Sequence, residues 1–221
     1  MRRCTQFGTQ GLANTAWAMA ACCWSNQPLL EAIAAEAIRR RHQFAAQELS
    51  NTAWSLSTFS VANQPLRDAL SAASRALLSN FGSQGLANPA WSFATLLVLN
   101  TPLMNAISSA ALRMISSFSA QSLSNTAWSF ATLALMTHDA LFDAISEAAI
   151  PKLSASETQN LANTAWAWSA MVVRHEPLLA AIAAQALPKI NHANFQALHN
   201  MFWAFATLAW DDAPLLDAIA A

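Results

Sequence analysis

Apolar blocks return along this chain every 37 or 38 positions, separated by short polar stretches. Each block begins with about 14 residues centred on a tryptophan and rich in Ala, Leu and Phe, which are good or neutral helix formers. It continues with Leu, Ile and Ala at spacings of three and four, as in residues 28–33, which is typical of an amphipathic helix. No segment has the pattern of a strand. The sequence therefore predicts an all-α protein with two helices in each block.

Six tryptophans mark the blocks and indicate a repeat array. The intervals between them are 37, 37, 37, 38 and 37 residues, a period typical of repeated supersecondary units. We expect a single array over residues 1–221 that is part of a longer protein, because the sixth unit ends within its second helix. The tryptophans are Trp17, Trp54, Trp91, Trp128, Trp166 and Trp203. The predicted units are 7–43, 44–80, 81–117, 118–155, 156–192 and 193–221.

A proline stands eleven residues after the tryptophan in five units and predicts where the second helix begins. Proline fits the first turn of a helix, where its missing N–H costs nothing. The fourth unit lacks this proline, and its one extra residue falls in the same place, near His138. Two helices joined by a short link cannot cover their own apolar face, so neighbouring units must cover it. We therefore predict an α-solenoid of about six stacked helix-turn-helix repeats.

The first helix of each unit has two distinct faces at 100° per residue. A leucine five residues before the tryptophan and a large residue two after it fall on one side, which we predict to be the core. The large residues are Met19, Leu56, Phe93, Phe130, Trp168 and Phe205. The tryptophan, a glutamine seven before it and an asparagine three before it fall on the other side. Stacked units would align these groups into a ladder of amides and indoles.

The ladder has two interpretations. In the structural one, which we favour, tryptophan fills the groove between units and asparagine satisfies buried backbone groups, since residues that distinguish varied ligand units should themselves vary. In the functional one, the amides line an inner surface and bind an extended polymer. The position six before tryptophan, which does vary, is then the better candidate for selectivity. The asparagines are Asn14, Asn51, Asn88, Asn125, Asn163 and Asn200.

Charge adds a second regularity. The net charge of −1 argues against a strongly electrostatic grip on nucleic acid, although a local stripe can still act. A basic residue lies about 21 to 24 positions after each of the first five tryptophans, and acids gather where the second helices begin. The helix macrodipole explains this placement. The same placement gives the array a basic edge suited to phosphates. The basic residues are Arg39, Arg40, Arg75, Arg113, Lys152 and Lys189.

The chain shows no residue pattern typical of a catalytic, metal or cofactor site. Its histidines share no ligand spacing, its carboxylates are scattered and its glycines form no phosphate loop, so we predict a binding protein with no enzymatic activity, metal or cofactor. No apolar stretch is long enough to cross a membrane. Cys22 and Cys23 are expected to be buried thiols within a helix, which favours a reducing compartment. Pro89 lies inside a predicted helix, so we expect that helix to be kinked or to begin late.

The motif Phe-x-x-Gln-x-Leu-Ala/Ser-Asn-Thr-Ala-Trp, followed by Phe-Ala-Thr-Leu, is clearest at 81–96 and 118–133. It resembles the octotricopeptide repeat and the related repeats of FAST-kinase-domain proteins, which are organelle RNA-binding families. The resemblance implies sequence-selective binding of single-stranded RNA in a mitochondrion or chloroplast, in RNA processing, stability or translation, with proteins of a ribonucleoprotein complex as further partners. The alternatives are an armadillo-like scaffold for an extended peptide and a purely structural array. The RNA-binding candidates are Gln47, Glu48, Gln84, Gln121, Ser122, Gln159 and Asn160, with the basic residues above.

Overall fold

The computed structural model describes residues 6–58, 64–76, 78–135 and 137–220. Within them are twelve α-helices and five short 3-10 helices, and no strand, which confirms the predicted all-α helical-repeat fold. The chain divides into two compact units, residues 1–110 and 111–221. The helices are α1 (Thr9–Ala21), α2 (Gln27–Arg39), α3 (Ala46–Thr58), α4 (Gln64–Ala76), α5 (Ser83–Thr95), α6 (Thr101–Met114), α7 (Ala120–Thr132), α8 (Asp139–Ala149), α9 (Thr158–Ala170), α10 (Glu176–Ala186), α11 (Phe195–Thr207) and α12 (Ala213–Ala220).

The odd-numbered helices carry the repeated tryptophans, and each runs from eight residues before its tryptophan to four after it. The proline predicted at the start of the second helix is the second residue of α2, α4, α6, α10 and α12. Helix α8, which lacks the proline, begins at Asp139 and places the acid in its first turn. A carboxylate there is favoured by the helix dipole, so it offers another way to start the helix.

The odd-numbered helices pack side by side in each compact unit. In the first, α3 contacts both α1 and α5, and in the second, α9 contacts both α7 and α11. Small side chains line these contacts, because the residue before each of the first five tryptophans is a buried alanine, and alanine lets helix axes approach closely. These alanines are Ala16, Ala53, Ala90, Ala127 and Ala165.

The predicted core positions are buried. The leucine five residues before tryptophan is at most 1% exposed in the first five units, and Leu198 of the sixth is half-buried. Two residues after the tryptophan, Phe130, Trp168 and Phe205 are fully buried, while the side chain of Leu56 lies outside the described residues. Burial of large apolar groups on one face of each first helix is the main source of stability for such an array.

Pro89 does not delay its helix. Helix α5 spans the same thirteen positions as its counterparts, so the expectation of a late start is wrong. Proline has no N–H to give to the carbonyl four residues earlier, which belongs to Gly85. The Ser50 hydroxyl of the preceding unit donates to this carbonyl at 3.2 Å. The neighbouring repeat thus replaces the lost backbone bond.

The first helices end in a left-handed residue that is never glycine in the described part of the chain. Six positions after the tryptophan, φ lies between 49° and 56° at Cys23, Leu97, Ala134, Val172 and Ala209. The backbone bonds follow the Schellman pattern. Val172 N–H, for example, donates to Ser169 O at 3.0 Å, and Val173 N–H to Trp168 O at 2.9 Å. The prediction for Cys22 and Cys23 is wrong, because α1 ends before them and both are exposed.

We expect Val172→Gly to raise the free energy of unfolding by about 1 kcal/mol, because a left-handed conformation costs a side-chain-bearing residue about 1–2 kcal/mol. The Val172 side chain is 74% exposed, so little packing is lost. Urea unfolding measures the change. The matched control is Ala180→Gly, at an exposed position inside α10, which should lower stability by about 0.5–1 kcal/mol. A Val172→Gly protein no more stable than the wild type would contradict the strain.

Candidate nucleic-acid interface

The repeated tryptophans lie at the surface of the first helices, and in the second compact unit Trp128, Trp166 and Trp203 form a ladder. Trp17 and Trp203 are 49% and 40% exposed, and the other four are half-buried. Ring centroids are 6.2 Å apart between Trp128 and Trp166, and 6.3 Å apart between Trp166 and Trp203. Consecutive indoles of this unit therefore lie beside one another along the surface of the array.

Amide side chains surround a groove between consecutive first helices in each compact unit. The groove between α3 and α5 has a volume of about 200 Å³, and every residue that lines it is uncharged. The groove between α7 and α9 is larger, about 690 Å³, and also includes Lys152 and Glu157. Each contains the repeated glutamine and asparagine of both helices: Gln47, Asn51, Gln84 and Asn88 in the first, and Gln121, Asn125, Gln159 and Asn163 in the second. The structure thus brings four of the predicted glutamines together with their asparagines.

The repeated asparagines face solvent at least in part: Asn14 is exposed and the other five are half-buried. Asn163 Oδ1 accepts a hydrogen bond from Gln159 Nε2 at 2.9 Å. Throughout the described residues, no hydrogen bond joins one of these six side-chain amides to a buried backbone group. Their structural role stays a prediction, and their exposure makes the amides accessible to a ligand.

At the variable position six before tryptophan, Glu48, Ser122 and Asn160 bond neighbouring protein groups. Asn160 Oδ1 lies 3.2 Å from the Ser124 hydroxyl, and Ser122 is buried, with its hydroxyl bonded to that of Ser119 at 3.1 Å. Glu48 accepts from the backbone N–H of Ala45 at 2.8 Å and closes the start of α3. These side chains are engaged in local structure, whereas Gln47, Gln84 and Gln121 beside them are exposed.

Three of the six predicted basic residues clasp the backbone at the beginning of their own repeat or just before it. Lys152 Nζ donates to the carbonyls of Ser116 and Phe118 at 2.8 and 2.5 Å. Lys189 Nζ donates to those of Ser154 and Ser156 at 2.8 and 2.7 Å. Arg40 likewise donates to the carbonyl of Phe7, at 2.7 Å. In all three cases an acceptor lies ten residues before the tryptophan, so the cation ties the end of a repeat to its beginning.

The other three basic residues, Arg39, Arg75 and Arg113, are exposed. Arg39 is bonded to Glu36, a carboxylate that is only 6% exposed. The Arg39 guanidinium, aided by Arg40, holds the pKa of the Glu36 carboxyl below its usual range against the opposing effect of burial. Sequence reasoning missed this buried acid, and the sole signal for it is its position three and four residues before two arginines.

No helix in the described parts of the chain is long and apolar enough to cross a membrane. The family model of the RNA-editing substrate-binding complex 6 protein matches residues 1–221, the whole chain. The chain belongs to this family. The match supports the coarser expectation of a helical RNA-processing protein, and it is not to the octotricopeptide or FAST-kinase-domain families. No curated protein matches the chain.

We expect Lys189→Met to lower the free energy of unfolding by about 1 kcal/mol, because it removes the charged donor of two carbonyls, of which that of Ser156 is partly shielded from water. Methionine keeps most of the apolar stem, so packing changes little. The control is Arg113→Met, since Arg113 is exposed on α6 and its loss should change stability by less than about 0.5 kcal/mol. Equal effects of the two substitutions in urea unfolding would contradict the clasp.

Proposed function

We propose that this chain binds single-stranded RNA along the exposed face of its first helices, as a repeat protein of a mitochondrial RNA-editing substrate-binding complex. The observation that carries the proposal is the pair of amide-lined grooves between first helices that carry the repeated tryptophans, in a chain of this family. The family match supports the mitochondrion and offers no support for a chloroplast. The proposed activity is binding rather than catalysis.

Amide side chains suit the edges of bases. Glutamine and asparagine each offer donors and an acceptor, which can match the polar edge of an unpaired base. RNA recognition of this kind relies on single strands whose bases can turn toward the protein. The groove between α3 and α5 is uncharged, so it fits a base edge or sugar hydroxyl better than a phosphate.

Phosphate contacts are a smaller part of this proposal. Arg40, Lys152 and Lys189 already donate to backbone carbonyls. Because each phosphate contact contributes about −0.7 to the slope of log affinity against log salt for single strands, we expect a slope of only about −1 to −2. The basic edge then positions the strand weakly, and the amides supply the closer contacts.

Protein partners are also proposed, because the family description names a complex. Helix α11 supports this with unusual exposed side chains. Phe202 takes the position held by buried alanine in the other units and is 48% exposed, and Phe195 is 85% exposed. Large apolar groups gathered on one helix are typical of a contact surface.

A peptide-binding scaffold is the second candidate, because amides in the grooves could equally bond the main chain of an extended peptide. A competition experiment distinguishes RNA binding from peptide binding. An unlabelled pool of random single-stranded RNA should displace a fluorescent RNA from the folded protein, and a pool of extended peptides should not. Displacement by peptides alone would favour the scaffold.

The double variant Gln121→Ala/Asn125→Ala should weaken RNA binding at least about fivefold, since two groove amides together contribute about 1 kcal/mol or more. Its melting temperature should stay close to that of the wild type, because Gln121 is exposed and Asn125 half-buried. Fluorescence anisotropy and circular dichroism make the two measurements. Asn105→Ala, which removes an exposed asparagine from α6, should leave affinity unchanged. Absence of RNA binding by the folded wild-type protein would overturn the proposal.

A further inference from the structure

Three amides form a chain at the edge of the groove between α7 and α9. Asn194, which begins α11, donates from Nδ2 to Gln159 Oε1 at 3.2 Å. Gln159 donates in turn from Nε2 to Asn163 Oδ1 at 2.9 Å. Gln159 and Asn163 both line the groove. The chain therefore connects the start of one repeat with the ligand-facing amides of the repeat before it.

The orientation of this chain is fixed by the backbone. An amide can usually turn over and exchange its oxygen for its nitrogen, since the two ends have nearly the same shape. Asn194 cannot, because its Oδ1 accepts the backbone N–H of Ala197 at 2.8 Å, and a nitrogen facing that N–H would oppose donor to donor. Its Nδ2 must then donate to Gln159, and Gln159 must donate to Asn163. Asn163 Oδ1 therefore faces Gln159, and the end of its amide turned away from Gln159 is Nδ2, a hydrogen-bond donor.

The glutamine–asparagine pair of α3, Gln47 and Asn51, provides an internal comparison. There the residue that corresponds to Asn194 is Gly82, which begins α5 and has no side chain to donate. Gly82 cannot donate to Gln47 as Asn194 donates to Gln159. The start of the next helix therefore does not fix whether Asn51 presents its oxygen or its nitrogen. The residue that begins the next helix thus sets the polarity of an otherwise repeated glutamine–asparagine pair.

We propose that the groove between α7 and α9 selects a base with a keto oxygen, as in uracil or guanine, over a base with an amino group in its place, as in cytosine or adenine. Asn163 is the specificity-determining residue, and Asn194 is a positioning residue that acts through Gln159. A keto oxygen accepts from Asn163 Nδ2, whereas an amino group sets donor against donor and leaves both unpaired. The inference rests on the proposed function, since it requires RNA to lie in this groove.

The test measures the affinities of the full chain for oligouridine and oligocytidine of about eight nucleotides, two pyrimidines that differ in this group. The wild type should bind oligouridine about fivefold more tightly, the effect of one hydrogen bond gained against one donor left unpaired. Asn194→Ser keeps a hydroxyl to begin α11 but breaks the amide chain, so the ratio should fall toward one.

Asn194→Asp makes the sharper variant. The carboxylate still begins the helix, but it can only accept, so Gln159 must turn over to donate to it. Gln159 Oε1 then accepts from Asn163 Nδ2, and Asn163 presents its oxygen to the groove. Preference should therefore reverse toward oligocytidine. Asn105→Asp adds the same charge on α6 and should weaken both affinities equally, if at all, leaving the ratio unchanged.

The outcomes separate the two proposals. A folded wild type that binds neither oligonucleotide overturns both the RNA-binding function and this inference. Equal binding of the two, or a preference for oligocytidine, overturns the inference and leaves the function standing. An Asn194→Asp protein that keeps the wild-type ratio also overturns the inference, because the amide chain would then have no effect on the base.

Discussion

The close packing of consecutive first helices is the constraint on which the other features depend. A buried alanine just before the tryptophan, as at Ala127 and Ala165, keeps the side chains between these helices small. The helices can then approach until the indoles of Trp128 and Trp166 lie 6.2 Å apart. The same approach brings the amides of two repeats to the sides of one groove. A larger residue at the alanine position would increase both the distance between the indoles and the width of the groove.

The lysines show how a charged side chain at the surface can stabilise the fold. Lys152 and Lys189 follow their second helices in 3-10 turns and reach back to carbonyls at the beginning of the same repeat. Each ammonium donates to two backbone oxygens, one on either side of the boundary between two repeats, which stabilises this junction. Half of the residues expected to form a basic edge are therefore bonded to backbone carbonyls, since Arg40 makes a similar bond. In the RNA binding that we propose, recognition then depends on uncharged groups, and on the amides above all.

Sequence periodicity predicted the helices, the core positions and the tryptophan–amide face, because these follow from spacing along a single helix. Three expectations were wrong or incomplete for reasons outside that spacing. Helix α5 continues through Pro89 because Ser50 of another repeat bonds the carbonyl that proline leaves unpaired. Cys22 and Cys23 lie beyond the end of α1, where the chain turns through a left-handed residue. Because that residue is not a glycine, the sequence gives no signal of the turn. The lysine clasps join residues more than thirty positions apart.

The sequence by itself determined the repeat, its two helices and which side of each first helix is buried, because a period of 37 or 38 residues and the geometry of one helix fix these. The tertiary structure decided what the exposed side can do. Whether a glutamine or asparagine presents a donor or an acceptor depends on a partner from the next repeat, as Asn194 shows for Gln159. Such polarity arises from contact between repeats, and spacing along one helix carries no information about it.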